Sequence, residues 1–260
     1  SHAAPTVLPL RQINSDPMYE EYLIMKVVAA AQMAERNMAE TICEFGRKDC
    51  DLAVNRRTQK RISDWDLPSG SIDRDLDALM FRSTTGQPQG LIVSYGCHPV
   101  TLRDDNLLIS ADYPGVTCRQ LSRALKCPVA FLLGACGETI PKIYGGYAEC
   151  EEFGTRLTQE VEQVLPTLST IRESIVEFRT DRAELTFHAP QTLPAFLREY
   201  KRIFRSSGPD YVKDWAKDYF RYLQSGNDLQ QTRETIVQTL RIGSVAVVLV
   251  PGHILHQTSA

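Results

Sequence analysis

The chain has 260 residues, 43% of them hydrophobic and 23% charged, with a formal net charge of -3. That balance is globular, with room for one large domain or two small ones, and the mild negative charge excludes nucleic acid as the main partner, because phosphate binding needs a concentrated positive surface. No apolar run approaches the roughly 20 residues that span a bilayer, and seven cysteines without CxxC spacing argue against a full disulfide framework.

Residues 17–45 predict one long helix. Apolar residues recur there at three-and-four spacing among Ala, Glu, Met and Lys, with Pro17 at the first helical position behind Asp16. Residues 47–56 read as extended, ending at Asn55-Arg56-Arg57 before a polar loop with Asp64, Asp66, Pro68 and Gly70. Residues 77–82 and 90–96 predict strands joined by a turn composition, Thr84-Thr85-Gly86-Gln87-Pro88. A helix follows Pro114, from 115 to 124, then a buried strand over 128–133 and a helix over 149–164. Residues 174–188 are strand-rich, 193–206 and 209–224 form two amphipathic helices, and 230–241 fits helix or strand. A strand over 243–250 runs into Pro251-Gly252-His253. Strands alternating with helices predict an α/β fold: a mixed β-sheet flanked by helices, in one domain, with a helical insertion or cap near 190–228.

Three strand ends carry chemistry: Gly96-Cys97-His98, Gly134-Ala135-Cys136-Gly137-Glu138 and Pro251-Gly252-His253. In an open α/β sheet, ligands gather outside the carboxyl ends of strands. If the three ends share one side of the sheet, His98, Asp112, Glu138 and His253 offer the nitrogen and oxygen donors of a zinc hydrolase. Each also has a plain structural reading, a hydrogen-bonded core histidine or, for Asp112, a helix cap. The aromatic residues of 193–224, among them Phe196, Tyr200, Phe204, Tyr219 and Phe220, either line an acyl-chain pocket or membrane-facing cap or pack helix on helix.

Several segments appear in one order: Asn55-Arg56-Arg57, CHPVTLRDDNLLISADYPG (97–115), FLLGACGETIP (131–141), YGGYAECEEFGTRL (144–157) and VVLVPGH (247–253). This order resembles the N-terminal domain of the neutral/alkaline, non-lysosomal ceramidases. SHAAP (1–5) is similar to the end of that family's His-x-His-Ser-x-Pro segment. The resemblance covers nearly the whole chain. It implies a single catalytic domain over 1–260, cut at both ends, with the first His of the pair directly before Ser1 and a Tyr ligand beyond Ala260. It implies zinc-dependent hydrolysis of an amide bond in a ceramide-like lipid or a related small molecule. His98 matches the His-Pro zinc ligand, and His253 stands where the family places its ligand Glu. His2 matches the second His of the pair, beside the zinc, as a residue behind the ligands or one that handles protons, and Arg56 matches the family's Asn-Arg near the scissile amide, its fixed charge and fork of donors suited to a developing oxyanion or to an ion pair with Asp112 or Glu138. Asp112 and Glu138 would support the ligands from behind, Glu138 replacing the family's Asp. Family analogy implies a secreted or periplasmic enzyme, with a cytoplasmic one left open, and leaves room for membrane-surface contact.

Two other classes stay open. One is a non-catalytic binding or structural domain that keeps this fold. The other is a cysteine hydrolase using Cys97 or Cys136, although neighbours on a strand point to opposite faces, which makes Cys97 and His98 a poor dyad.

Overall fold

The computed structural model describes residues 17–56, 72–103, 106–186, 192–205, 210–227, 232–252 and 254–255. His2 and His253 lie outside them, as do Asp16, Arg57 and the polar loop. The chain divides into two compact units, Ala39–Thr180 with Gln238–Ala260, and His2–Met38 with Asp181–Val237.

In the first unit, five strands form a mixed sheet in the order β5-β4-β3-β1-β7. They are β1 (Thr41–Asp49), β3 (Asp75–Ser83), β4 (Pro88–Tyr95), β5 (Val129–Leu133) and β7 (Ser169–Thr170). β1 and β3 pair antiparallel over their whole length, from Thr41 opposite Ser83 to Asp49 opposite Asp75. This pairing explains why the first helix, α1 (Pro17–Arg36), stops well short of 45. Asn37 closes its last turn, its backbone N donating to Met33 O at 3.1 Å and its Nδ2 to the same carbonyl at 2.7 Å. Thr41, Ile42, Cys43 and Phe45 then enter the ladder, where β-branched and aromatic residues pack well.

β4 and β5 run parallel, Tyr95 opposite Leu133. Parallel neighbours need a crossover, and α2 (Asp112–Leu125) supplies it. Pro114 lies in its first turn, where a missing N–H breaks no helical bond. α2 and α3 (Tyr147–Val164) cover one face of the sheet. The period of two is plain there: Leu76, Ala78 and Met80 of β3 and Leu91, Val93 and Tyr95 of β4 are buried against Tyr113, Leu121, Phe153, Leu157 and Val161. Each such side chain contributes about 1.5–3 kcal/mol of burial. Gly154 sets the helix spacing, since a Cβ there would lie 2.5 Å from Val116 Cβ.

A short pair, β2 (Ala53–Asn55) and β6 (Thr139–Pro141), is antiparallel with Asn55 opposite Thr139. A third sheet has the order β10-β9-β8, from β8 (Val176–Thr186), β9 (Thr232–Ile242) and β10 (Val245–Leu249). The segment near 230–241 is therefore strand. The other face of the main sheet and β10 enclose a cavity of about 500 Å³, bordered by Phe45, Arg47, Asp77, Ile92 and Leu132.

In the second unit, α4 (Leu193–Arg205) and α5 (Asp210–Gln224) form the helical insertion. Their aromatic rings pack on one another: Phe196 on Tyr219 at 5.2 Å and Tyr200 on Phe220 at 5.0 Å between centroids. The stripe is thus helix-on-helix packing rather than the lining of an acyl pocket. Among the described residues no helix is long and apolar enough to cross a membrane.

Candidate functional site

The parallel register puts the carboxyl ends of β4 and β5 side by side. Gly134 N donates to Tyr95 O at 3.1 Å. The two chains approach so closely that a Cβ on Gly96 would lie 2.8 Å from Ala135 O, and one on Gly134 would lie 3.0 Å from Gly96 N. Two of the three strand ends read from the sequence are therefore neighbours. The third is tied to them, because Gly137 N donates to Ile254 O at 2.8 Å.

β6 brings Arg56 to the same place. Through its pairing with β2, Arg56 N donates to Glu138 O at 2.7 Å and Arg56 Nη2 donates to Gly137 O at 2.9 Å. The guanidinium lies against the Gly137–Glu138 loop on an exposed residue. Glu138 is buried.

His98 is also buried, at 4% exposure. Its backbone N and its ring Nδ1 both lie 3.1 Å from Thr139 O. A carbonyl only accepts, so Nδ1 carries a proton, and in the neutral ring the lone pair then sits on Nε2. A histidine held through Nδ1–H to a carbonyl is the usual arrangement of a metal-ligating or base imidazole. Thr139 is thus a positioning residue that sequence reasoning missed. It acts through its backbone carbonyl, which any residue there would supply, so its residue type carried no signal.

Asp112 has a different setting. It begins α2 with φ of 51°, a left-handed conformation that Asp tolerates better than most residues. Its Oδ1 accepts from Thr101 N at 3.2 Å, Thr101 Oγ1 at 2.6 Å and Tyr113 N at 2.7 Å, and its Oδ2 from Leu102 N at 3.0 Å. The carboxylate fastens the loop after His98 to the start of α2. Next to it, the Tyr113 hydroxyl donates to Cys97 O.

Burial pushes the Cys136 thiol up to about 11 and the Cys97 thiol well above its ordinary value. Neither supplies a thiolate near neutral pH, which removes the ground for a cysteine nucleophile. Among the described residues no group of three or more His, Cys, Asp or Glu side chains is placed to hold a metal. Of the described residues at this place, His98 would offer a metal one imidazole nitrogen, Nε2.

No family model matches the chain, and no curated protein matches its sequence. Solved structures do. The neutral ceramidase from Pseudomonas aeruginosa is similar with a TM-score of 0.56 at 15% identity, over 85% of this chain and 42% of that one. A ceramidase complexed with C2 is similar with a TM-score of 0.56 at 13% identity, over 84% of this chain and 42% of that one. The chain spans about two-fifths of the length of these ceramidases. At such identity the likeness is one of fold: this is a mixed α/β fold like that of part of a neutral ceramidase.

Proposed function

We propose that the chain carries part or all of the site of a zinc-dependent amide hydrolase acting on a ceramide-like lipid amide. The observation that carries this reading is the meeting of Arg56, His98 and the Gly137–Glu138 loop at the carboxyl ends of β4 and β5, with His98 fixed through Nδ1. The ceramidase-like fold supports the choice of reaction class.

His98 and His253 would hold the metal. When bound, zinc would polarise the amide carbonyl and make water acidic near neutral pH. The chain's own residues do the rest. Thr139 O holds the His98 ring so that Nε2 faces its task in one tautomer. Arg56, braced on Gly137 O, would bring its guanidinium charge to the amide oxygen as negative charge develops there. The family resemblance would give His2, which lies outside the described residues, the transfer of a proton from water to the leaving amine nitrogen. Asp112 holds the chain around His98 in place without touching substrate.

The test is metal analysis together with hydrolysis of an N-acylsphingosine by the wild-type chain and two variants. His98→Ala is expected to lose bound zinc. Arg56→Lys is expected to keep zinc and lose about tenfold or more in kcat/KM, since an ammonium cannot reproduce the braced fork. Zinc retained at wild-type level in His98→Ala would remove His98 from the metal and end this reading.

A further inference from the structure

The two helices of the insertion treat their charges differently. On α5, Lys217 pairs with Asp214 at 3.1 Å and Arg221 with Asp218 at 3.1 Å, each one turn back. On α4, Arg202 pairs with Glu199. Among the described residues, Arg198, Lys201 and Arg205 have no ion-pair partner. All four α4 cations are exposed. They stand at i, i+3, i+4 and i+7, which is one face of a helix, over about 10 Å of its length. The concave space on that face is lined by Arg198, Lys201, Arg202 and Arg205.

The opposite face of α4 is occupied. Phe196 and Ile203 are buried, and Tyr200 stacks on Phe220. The helix therefore has no free apolar stripe to insert into a bilayer, and no free aromatic ring beside its cations. Single-stranded nucleic acid is bound by basic grooves with stacking platforms, and the -3 net charge of the whole chain supplies no wider positive field. What fits a cationic stripe with three unpaired members and no free apolar or aromatic neighbour is an anionic surface.

We propose that the Arg198–Arg205 face of α4 is an electrostatic docking surface for an anionic lipid bilayer. Guanidinium groups recognise lipid phosphates and carboxylates in a forked geometry, and each cation at an anionic membrane surface adds roughly fivefold to partitioning. The inference deepens the lipid-amide reading, on which its biological sense rests, by naming how the chain meets the surface that holds such a substrate.

The experiment is co-sedimentation of the full chain with phosphatidylcholine vesicles, with and without phosphatidylserine, in EDTA. Wild type is expected on the phosphatidylserine vesicles alone, and less so as salt is raised. Arg198→Gln/Lys201→Gln/Arg205→Gln should lower the partition coefficient by about a hundredfold, and each single change by about fivefold. Gln keeps helix propensity, and a circular dichroism spectrum matching wild type confirms the fold. Lys217→Gln/Arg221→Gln on α5 should change partitioning by less than about twofold, as paired surface charges do little. Equal binding to both vesicles, no binding, wild-type binding by the triple variant, or stronger retention on single-stranded DNA would each overturn the proposal. EDTA keeps zinc out of this experiment. Its failure would leave the amidase reading standing, and loss of zinc with vesicle binding intact would do the reverse.

Discussion

Two buried polar centres lie close together in sequence and do opposite work. At the start of α2, Asp112 accepts hydrogen bonds from Thr101, Leu102 and Tyr113. At the end of β4, His98 is gripped at one ring nitrogen by the Thr139 carbonyl. A carboxylate that accepts four hydrogen bonds from the chain around it is a fastener. An imidazole held through Nδ1–H by a carbonyl presents Nε2 as its basic nitrogen when neutral, which equips it for chemistry. Burial and polarity alone do not separate the two, because both residues are less than 9% exposed. The donors and acceptors around them do.

The sharpest way to break this contrast is at Asp112. Asp112→Ala leaves buried donors from Thr101, Leu102 and Tyr113 unmatched and keeps the left-handed backbone. It is expected to cost about 3–5 kcal/mol in urea unfolding. A cost under about 1 kcal/mol would show that the carboxylate fastens nothing. Tyr113→Phe removes the hydroxyl that serves the buried Cys97 carbonyl, and should cost about 1–3 kcal/mol in the same measurement. The third test uses pH. Burial holds the Cys50 and Cys136 thiols at about 11, against 9.0 for an ordinary thiol. The unfolded chain therefore releases these protons first. Their contribution to stability is complete below about pH 9 and is lost as pH rises through about 11. The urea midpoint should fall over that range, and the fall should be shallower in Cys136→Ala. The smallest effect on stability belongs to the functional centre. His98→Gln should cost about 1 kcal/mol, the net worth of one neutral hydrogen bond, while removing bound zinc. A collapse of the fold instead would make His98 a fastener like Asp112.

The sheet and its helices were legible where apolar residues alternate or recur on one face. β4, β5, α3 and both helices of the insertion fall within a few residues of where their patterns put them. The early helix was read too long because Ala, Glu and Met continue its pattern through Glu40, whereas pairing with β3 claims the chain from Thr41. β6 was invisible because three residues carry no period, yet it delivers both Thr139 and the neighbours of Arg56. Of the site, His98, Arg56 and Glu138 were chosen from residue type and position, and the structure brings them to one place. Asp112 was chosen with them and sits on the Thr101 loop instead, which the sequence could not show because its partners are mostly backbone N–H groups. His2 and His253 fall outside the described residues.

The most direct measurement is the tautomer of His98, read from long-range ¹H–¹⁵N correlations of its ring in the folded chain. The geometry predicts a proton on Nδ1 and a bare Nε2, with added zinc shifting the Nε2 resonance. A proton on Nε2, or a zinc response at Nδ1, would contradict the account, because Thr139 would then not be holding the ring in the form that binds metal.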